Sequence, residues 1–266
     1  MSSRLSRHLR LFFIGSWFSF RALFFWMTPS AYISTKLVLP LFLMLMFVFI
    51  ARFVGLGNEL YIVVGNALLL TTRNGVFGVM LTVSGERYFR TLPYLLGSPA
   101  PRIPLLLGRT LFHTLDGLAT TALGLVIAVL LFGLDLSQTN PILFGGCLLL
   151  LSFTATGFGL ILGGIGLVSR QVWVYANFVY QSLFFLCGVN FPVAALPRGF
   201  QLVSYSLPLT RGIAAAREII AGAAWTTVAP LIFGEILIGL TYAAVGYFFF
   251  RYIEKRSFVD GQLEAI

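Results

Sequence analysis

The side chains able to do chemistry are few, and most sit inside apolar sequence. Arg73 stands thirteen residues after Leu60 in a run that ends near Ser84, and Glu235 stands within another run from Val228 to Phe250. At 1.5 Å per helical residue Arg73 lies about 20 Å along its run, the middle of a bilayer. An ionised group at that depth is costly and is retained for pairing or recognition. One reading joins Arg73 and Glu235 as a structural ion pair; the other gives Arg73 to a passing ligand. Asp116, one turn into a third run, is expected near the headgroups. Trp173, Asn177, Tyr180, Gln181, Phe184 and Gly188 fall within an arc of about 100° on a helix. Aromatic faces and amides in one stripe suit an amphipathic ligand, or equally helix packing through amide hydrogen bonds. Phe42, Met44, Met46, Phe47 and Phe49 form a soft apolar set that adapts to varied shapes or simply faces lipid. Gly159 and Gly163 add a weak helix-packing signal.

Covalent and metal chemistry find little support. His8 and His113 are the two histidines, far apart and without acids or cysteines at ligand spacing, so no metal site is expected. Cys147 and Cys187 lie in apolar runs and read as free, buried thiols, with a disulfide near the outer surface as the alternative. A phosphate-binding loop needs a glycine-rich turn ending in lysine. Lys36 and Lys255 are the two lysines and neither follows such a turn. ATP hydrolysis is therefore not expected on this chain.

The elements that must hold these residues are membrane helices. Of 266 residues, 58% are hydrophobic and 10% charged, with a mean hydropathy of +0.93; soluble domains carry about 25% charge. The net charge of +9 is matched more simply by anionic lipid than by nucleic acid, which is set aside. Six stretches suit spans of about 20 residues: Leu37 to Val54, Leu60 to Ser84, Leu111 to Leu131, Ile142 to Val168, Val172 to Phe191 and Val228 to Phe250. With both termini cytoplasmic, thirteen Lys and Arg fall inside and four outside, as the positive-inside rule requires. The expected fold is one all-α membrane domain over 1–266.

Three segments are not spans. Residues 1–30 place Leu5, Leu9, Phe12, Phe13, Trp17, Phe20 and Phe24 on one side and Arg4, Arg7, Arg10 and Arg21 opposite, an interfacial helix on the cytoplasmic leaflet; the alternative is an uncleaved anchor. Residues 86–108 carry arginines and four prolines, with Tyr88, Leu92, Leu95 and Leu96 at helical spacing: a short cytoplasmic helix ending near Gly97, or a plain basic loop. Residues 192–222 are divided by Pro197 and Pro208 into pieces too short to span. They read as re-entrant half-helices on the outer side, or as a loop resting on the leaflet.

The last two segments also carry a resemblance. Glu86, Arg87, Thr91, Leu92, Leu95, Leu96, Ser98 and Pro99 are similar to the Glu-Arg-x-x-Gly-Thr-Leu, Leu-Leu and Ser-Pro pattern of type-two ABC exporter permeases, with Arg90 in place of the usual glycine and an unusual Pro93. Phe191, Pro192, Leu196, Pro197, Phe200, Pro208, Leu209 and Thr210 resemble that family's F-P-x-x-x-L-P segment and the P-L-T after it. The resemblance implies a bacterial cell-membrane permease that works as a dimer with a second copy or a paralogue. It implies docking through a coupling helix, Glu86, Arg87, Tyr88, Arg90, Thr91, Leu92, Leu95 and Ser98, onto a separate cytoplasmic ATPase that binds ATP and magnesium. Phe191, Pro192, Leu196, Pro197 and Phe200 would form an exit gate. The substrate pathway is expected at Arg73, Trp173, Asn177, Tyr180, Gln181 and Phe184, the cargo being a hydrophobic or amphipathic molecule or lipid. A lipid-linked polysaccharide is the alternative cargo, and an ion-coupled secondary transporter, with paired deep acids and inverted repeats, is the alternative class.

Overall fold

A computed structural model describes residues 10, 12–18, 21, 28–55, 59–88, 102–168 and 171–259, and among these there are helices and connections but no strands. Helix α1 runs through Pro29–Ile33, a π-helical turn at Ser34–Val38, and Leu39–Val54. Thr28 caps it, its hydroxyl accepting from the Ala31 amide at 3.3 Å, and Pro29 fills a first-turn position where no N–H is needed. The π-turn has a cause in sequence. Pro40 has no N–H and its ring crowds the carbonyl four residues back, at Lys36, so the turn before it widens. Gly55, with φ of 74°, ends α1 in the left-handed region.

Helix α2 comprises Glu59–Thr72, a second π-turn at Arg73–Gly78, and Val79–Tyr88. Arg73 thus widens the helix without breaking it. Glycines at Gly75 and Gly78 let the wide turn approach its neighbours: a Cβ at Gly75 would meet Ala155 at 3.0 Å, and one at Gly78 would enter the His113 ring. Helix α3 is Arg102–Phe132 and ends at Gly133, φ 68°. Helix α4 is Pro141–Val168, capped by Asn140, whose Oδ1 accepts from the Ile142 and Leu143 amides at 3.1 Å. In the connection between them Ser137 N–H donates to Asp135 at 2.8 Å, which holds that carboxyl below its usual range.

Helix α5 is Val172–Leu186, followed by the short helices α6, Arg198–Ser206, and α7, Thr210–Ile220, and by the long α8, Trp225–Val259. Among the described residues, five helices are long and apolar enough to cross a membrane: Ser30–Val54, Glu59–Gly85, Thr110–Phe132, Pro141–Gly166 and Trp225–Phe249. The remaining expected span is shorter than the sequence suggests. Its helix stops at Leu186, because Gly188 turns left-handed with φ of 69° and the carbonyls that follow are taken by Arg217.

Helix α2 is the hub, with 83% of its apolar window buried against 17% for α8. It packs on α3 and α4, while α4 also packs along α8 and against α7. The core draws Met44, Leu68, Leu69, Leu151, Leu183 and Ile213 from five different helices. Packing of this kind is dispersion and shape rather than a water-driven effect, since lipid is as apolar as leucine.

Residues 12–18 form a helical piece that rests on α3, with the Trp17 and Phe112 rings 5.6 Å apart and Ser16 donating to the Gly108 carbonyl. Phe13 and Phe18 are exposed. Leu5, Leu9, Phe20 and Phe24 lie outside the described residues.

Candidate functional site

Three polar assemblies interrupt the apolar bundle. At the first, the two π-turns face α3. Lys36, on the α1 π-turn, forms an ion pair with Asp116 and also donates to Asn74 on the α2 π-turn. Tyr32 donates its hydroxyl to the other oxygen of Asp116, and Asn74 Nδ2 donates to Thr120 Oγ1 at 2.9 Å. Both charged side chains are nearly closed off, at 12% and 4% exposure. Asp116, expected one turn into its span near the headgroups, is buried among α1, α2 and α3, where Lys36 and Tyr32 meet it. A paired, hydrogen-bonded acid can be held there; a lone one could not. One turn away His113, buried, shares a 2.7 Å hydrogen bond with Thr82.

The second assembly corrects a further expectation. Glu235 is fully buried on α8, yet it does not pair with Arg73. Its carboxylate accepts from the Leu209 amide at 2.7 Å and the Gly212 amide at 3.0 Å. These are unsatisfied donors at the start of α7, where negative charge is favoured by the helix dipole. Leu209 holds a left-handed φ of 78° there. Glu235 is thus a cap supplied by another helix, and Arg73 is left for other work.

At the third, Arg217 of α7 reaches α2 and the end of α5. It donates to the Gly188, Val189 and Tyr61 carbonyls at 2.7, 2.8 and 2.9 Å, with its guanidinium 3.4 Å from the centre of the Tyr61 ring. Nearby, Asn66 donates to Asn190 at 2.8 Å. The 192–222 segment is consequently no loose surface loop. Thr210, Gly212, Ile213, Ala215, Ala216 and Ile219 bury one face of α7 inside the bundle.

The expected gate residues precede this anchor. Pro192 leads a 3-10 turn at Val193–Ala195 and Pro197 leads α6, while Gln201 ties the two by donating to the Leu196 carbonyl at 2.7 Å. Phe191 and Leu196 are partly buried; Pro192, Pro197 and Phe200 are exposed. The α5 stripe divides in the same manner. Trp173, Asn177 and Gln181 are exposed, and Asn177 spends its amide on the Trp173 carbonyl at 2.8 Å. Tyr180 and Phe184 turn inward, Tyr180 edge-on to Phe77 at 5.8 Å and Phe184 against Phe47 at 5.0 Å. Arg73 is partly buried on the α2 π-turn, four residues before the Phe77 that meets Tyr180. The structure thus sets the Arg73 turn against Tyr180 and leaves Trp173, Asn177 and Gln181 on an open face.

Glu86, Arg87 and Tyr88 form the last turn of α2, and α3 begins at Arg102. Arg90, Thr91, Leu92, Leu95 and Ser98 lie outside the described residues, as does the expected helix ending near Gly97. Cys147 and Cys187 are free and buried, their thiols directed at the Gly212 and Pro208 carbonyls. Among the described residues no group of His, Cys, Asp and Glu could hold a metal.

A comparison with curated proteins gave no match. Residues 11–221 match the family model of ABC-2 type transporters, a stretch that runs from the N-terminal helical piece to the end of α7 and so takes in the first and third polar assemblies and the α7 amides of the second, but not Glu235. With that match over most of its length and its apolar helices, this chain belongs to the ABC-2 type transporter family, as a membrane permease component.

Proposed function

We propose that this permease is the membrane subunit of an ATP-driven exporter that carries a hydrophobic or amphipathic molecule outward across a bacterial cell membrane. The observation that carries this reading is the family match over residues 11–221, joined to a chain that offers no phosphate-binding loop of its own. Two copies, or this chain and a paralogue, form the pathway, and a cytoplasmic ATPase pair binds ATP and magnesium. The Lys and Arg bias puts both termini and the 86–108 loop in the cytoplasm. Glu86 to Ser98 then docks on the ATPase as a coupling helix. Because α2 is the most enclosed helix and ends in Glu86, Arg87 and Tyr88, a push on that loop is delivered to the hub of the bundle rather than to its rim. At the other face α6 and α7, entering without crossing, stand as the exit gate, held by Glu235 and Arg217.

An ion-coupled transporter would need a deep acid free to exchange protons or ions. Glu235 is occupied by two amides and Asp116 by Lys36 and Tyr32, which supports the ATP-driven reading. The test is transport in proteoliposomes holding the permease and the ATPase that co-purifies with it. Glu86→Arg and Arg87→Glu are expected to abolish ATP-dependent movement of a fluorescent amphiphile while leaving assembly in the membrane unchanged. Transport by the permease without an ATPase, driven by an imposed ion gradient, would overturn the proposal.

A further inference from the structure

The chain has nine acidic residues, and the side chains of five of them are described. Glu59 pairs with Arg52. Asp116 gives one oxygen to Lys36 and the other to Tyr32. Glu235 gives both oxygens to backbone amides. Asp135 and Glu218 are exposed, in the connection between α3 and α4 and on α7. Glu86 is thirteen residues farther along the same helix as Arg73, about 20 Å away. Glu254 follows Ala243, which packs on Gly157 at the level of the π-turn, by eleven residues, about 16 Å.

Arg73 accordingly makes no ion pair among the described residues, although it stands at mid-membrane depth where a free charge is costly. Its surroundings make the imbalance worse. Lys36 is a second cation close by, bonded to the adjacent Asn74, and its partner Asp116 is already engaged through both oxygens. The group of Lys36, Arg73 and Asp116 therefore carries an excess positive charge. The widened turn adds a reason for the position. A π-turn displaces its residues from the regular helix face and is common where a helix serves a ligand. On the same π-turn Phe77 packs edge to face on Tyr180 at 5.8 Å, a ring pair that offers apolar contact to whatever brings the missing charge.

We infer that Arg73 is the headgroup site of the cargo, and that the cargo is an amphiphile whose headgroup carries net negative charge on an oxyanion, a phosphate monoester or a carboxylate, and whose apolar portion lies against Phe77 and Tyr180. The inference rests on the permease reading of the bundle and narrows its substrate class. The fork of the guanidinium matches two oxyanion oxygens at once, which an ammonium cannot do. A free inorganic anion would satisfy the charge but not the rings.

The experiment is equilibrium binding to the full-length permease in dodecyl maltoside, read by native mass spectrometry, with dodecyl phosphate, dodecyl phosphocholine and inorganic phosphate as probes. The expected result is a single dodecyl phosphate per chain, bound about ten-fold more tightly than either of the others. Arg73→Gln should remove that margin, and Arg73→Lys should keep part of it. Hydrogen exchange on the wild-type chain gives a reading that needs no variant: dodecyl phosphate should slow exchange at residues 73–78, and dodecyl phosphocholine should not. Equal affinity for the phosphate and phosphocholine amphiphiles, inorganic phosphate binding as tightly as dodecyl phosphate, an unchanged margin in a folded Arg73→Gln chain, or protection confined to other helices would each overturn the inference. No ATPase is present in this assay. Loss of headgroup preference with ATP-driven transport intact would sink this inference alone, and loss of ATP dependence with the preference intact would sink the exporter reading alone.

Discussion

Two places along α2 solve the problem of buried charge by opposite means. At the π-turn, side chains answer side chains: Lys36 and Asp116 pair across α1 and α3 with Asn74 between them. About 20 Å away along the helix, at Tyr61, charge answers backbone: Arg217 takes three carbonyls, as Glu235 on α8 takes two amides. A side-chain pair can be broken and remade as helices shift, since each partner has torsions to spend. A charge seated on main-chain groups is fixed to the fold, and moving it means moving a helix end. The first arrangement suits a region that must rearrange, the second a region that must move as a unit.

The comparison can be broken most directly at Asp116. Asp116→Leu leaves Lys36 buried and uncompensated, and a loss of about 3–5 kcal/mol is expected, seen as a lower melting temperature in detergent. Lys36→Met combined with Asp116→Leu should recover most of it. A double variant no better than the sum of its parts would mean the two do not couple. Next comes Glu235→Gln, which keeps one acceptor for the α7 amides and presents donors to the other, at a cost of about 1–3 kcal/mol. Hydrogen exchange should rise first at Leu209 and Gly212, and a uniform rise across the bundle would argue against a local cap.

Gly65→Ala sharpens the backbone side of the comparison. Its Cβ would fall on the Val189 carbonyl and the Arg217 guanidinium, and about 1–3 kcal/mol of overpacking is expected, with α7 loosened while the Lys36 pair is untouched. Gly145→Ala is the counterpart: a Cβ there meets nothing within 4 Å in the second turn of α4, so helix propensity should raise stability by about 0.5–1 kcal/mol. A fall at Gly145 would point to contact with a second chain on that face.

The spans were legible because length and hydropathy alone define them; α2, α3 and α4 run within a residue or two of their expected limits. Helix α5 was read too long, since nothing local in Cys187 or Gly188 announces that Arg217, nearly thirty positions on, will claim the carbonyls that follow. The site was legible in part. Arg73 and Tyr180 stood out by depth and stripe, but the Arg73 to Glu235 pairing failed because opposite charge is not proximity, and the amides of a broken helix are invisible as ligands in sequence. Lys36 and Asn74 were missed for a geometric reason. A periodicity of 3.6 residues assigns each side chain a direction, and a π-turn changes that direction without changing composition. Pro40 just after Lys36, and two glycines just after Asn74, were the local signs of it.

The widened turn in α2 has one more consequence. Its surplus residue puts the two halves of the rod out of phase: side chains beyond Gly78 are turned by about 100° from where an unbroken helix would carry them. An apolar stripe of strict helical period would be rotated away from its neighbours beyond that point, and only a stripe that slips by one residue stays on the same side of the pillar.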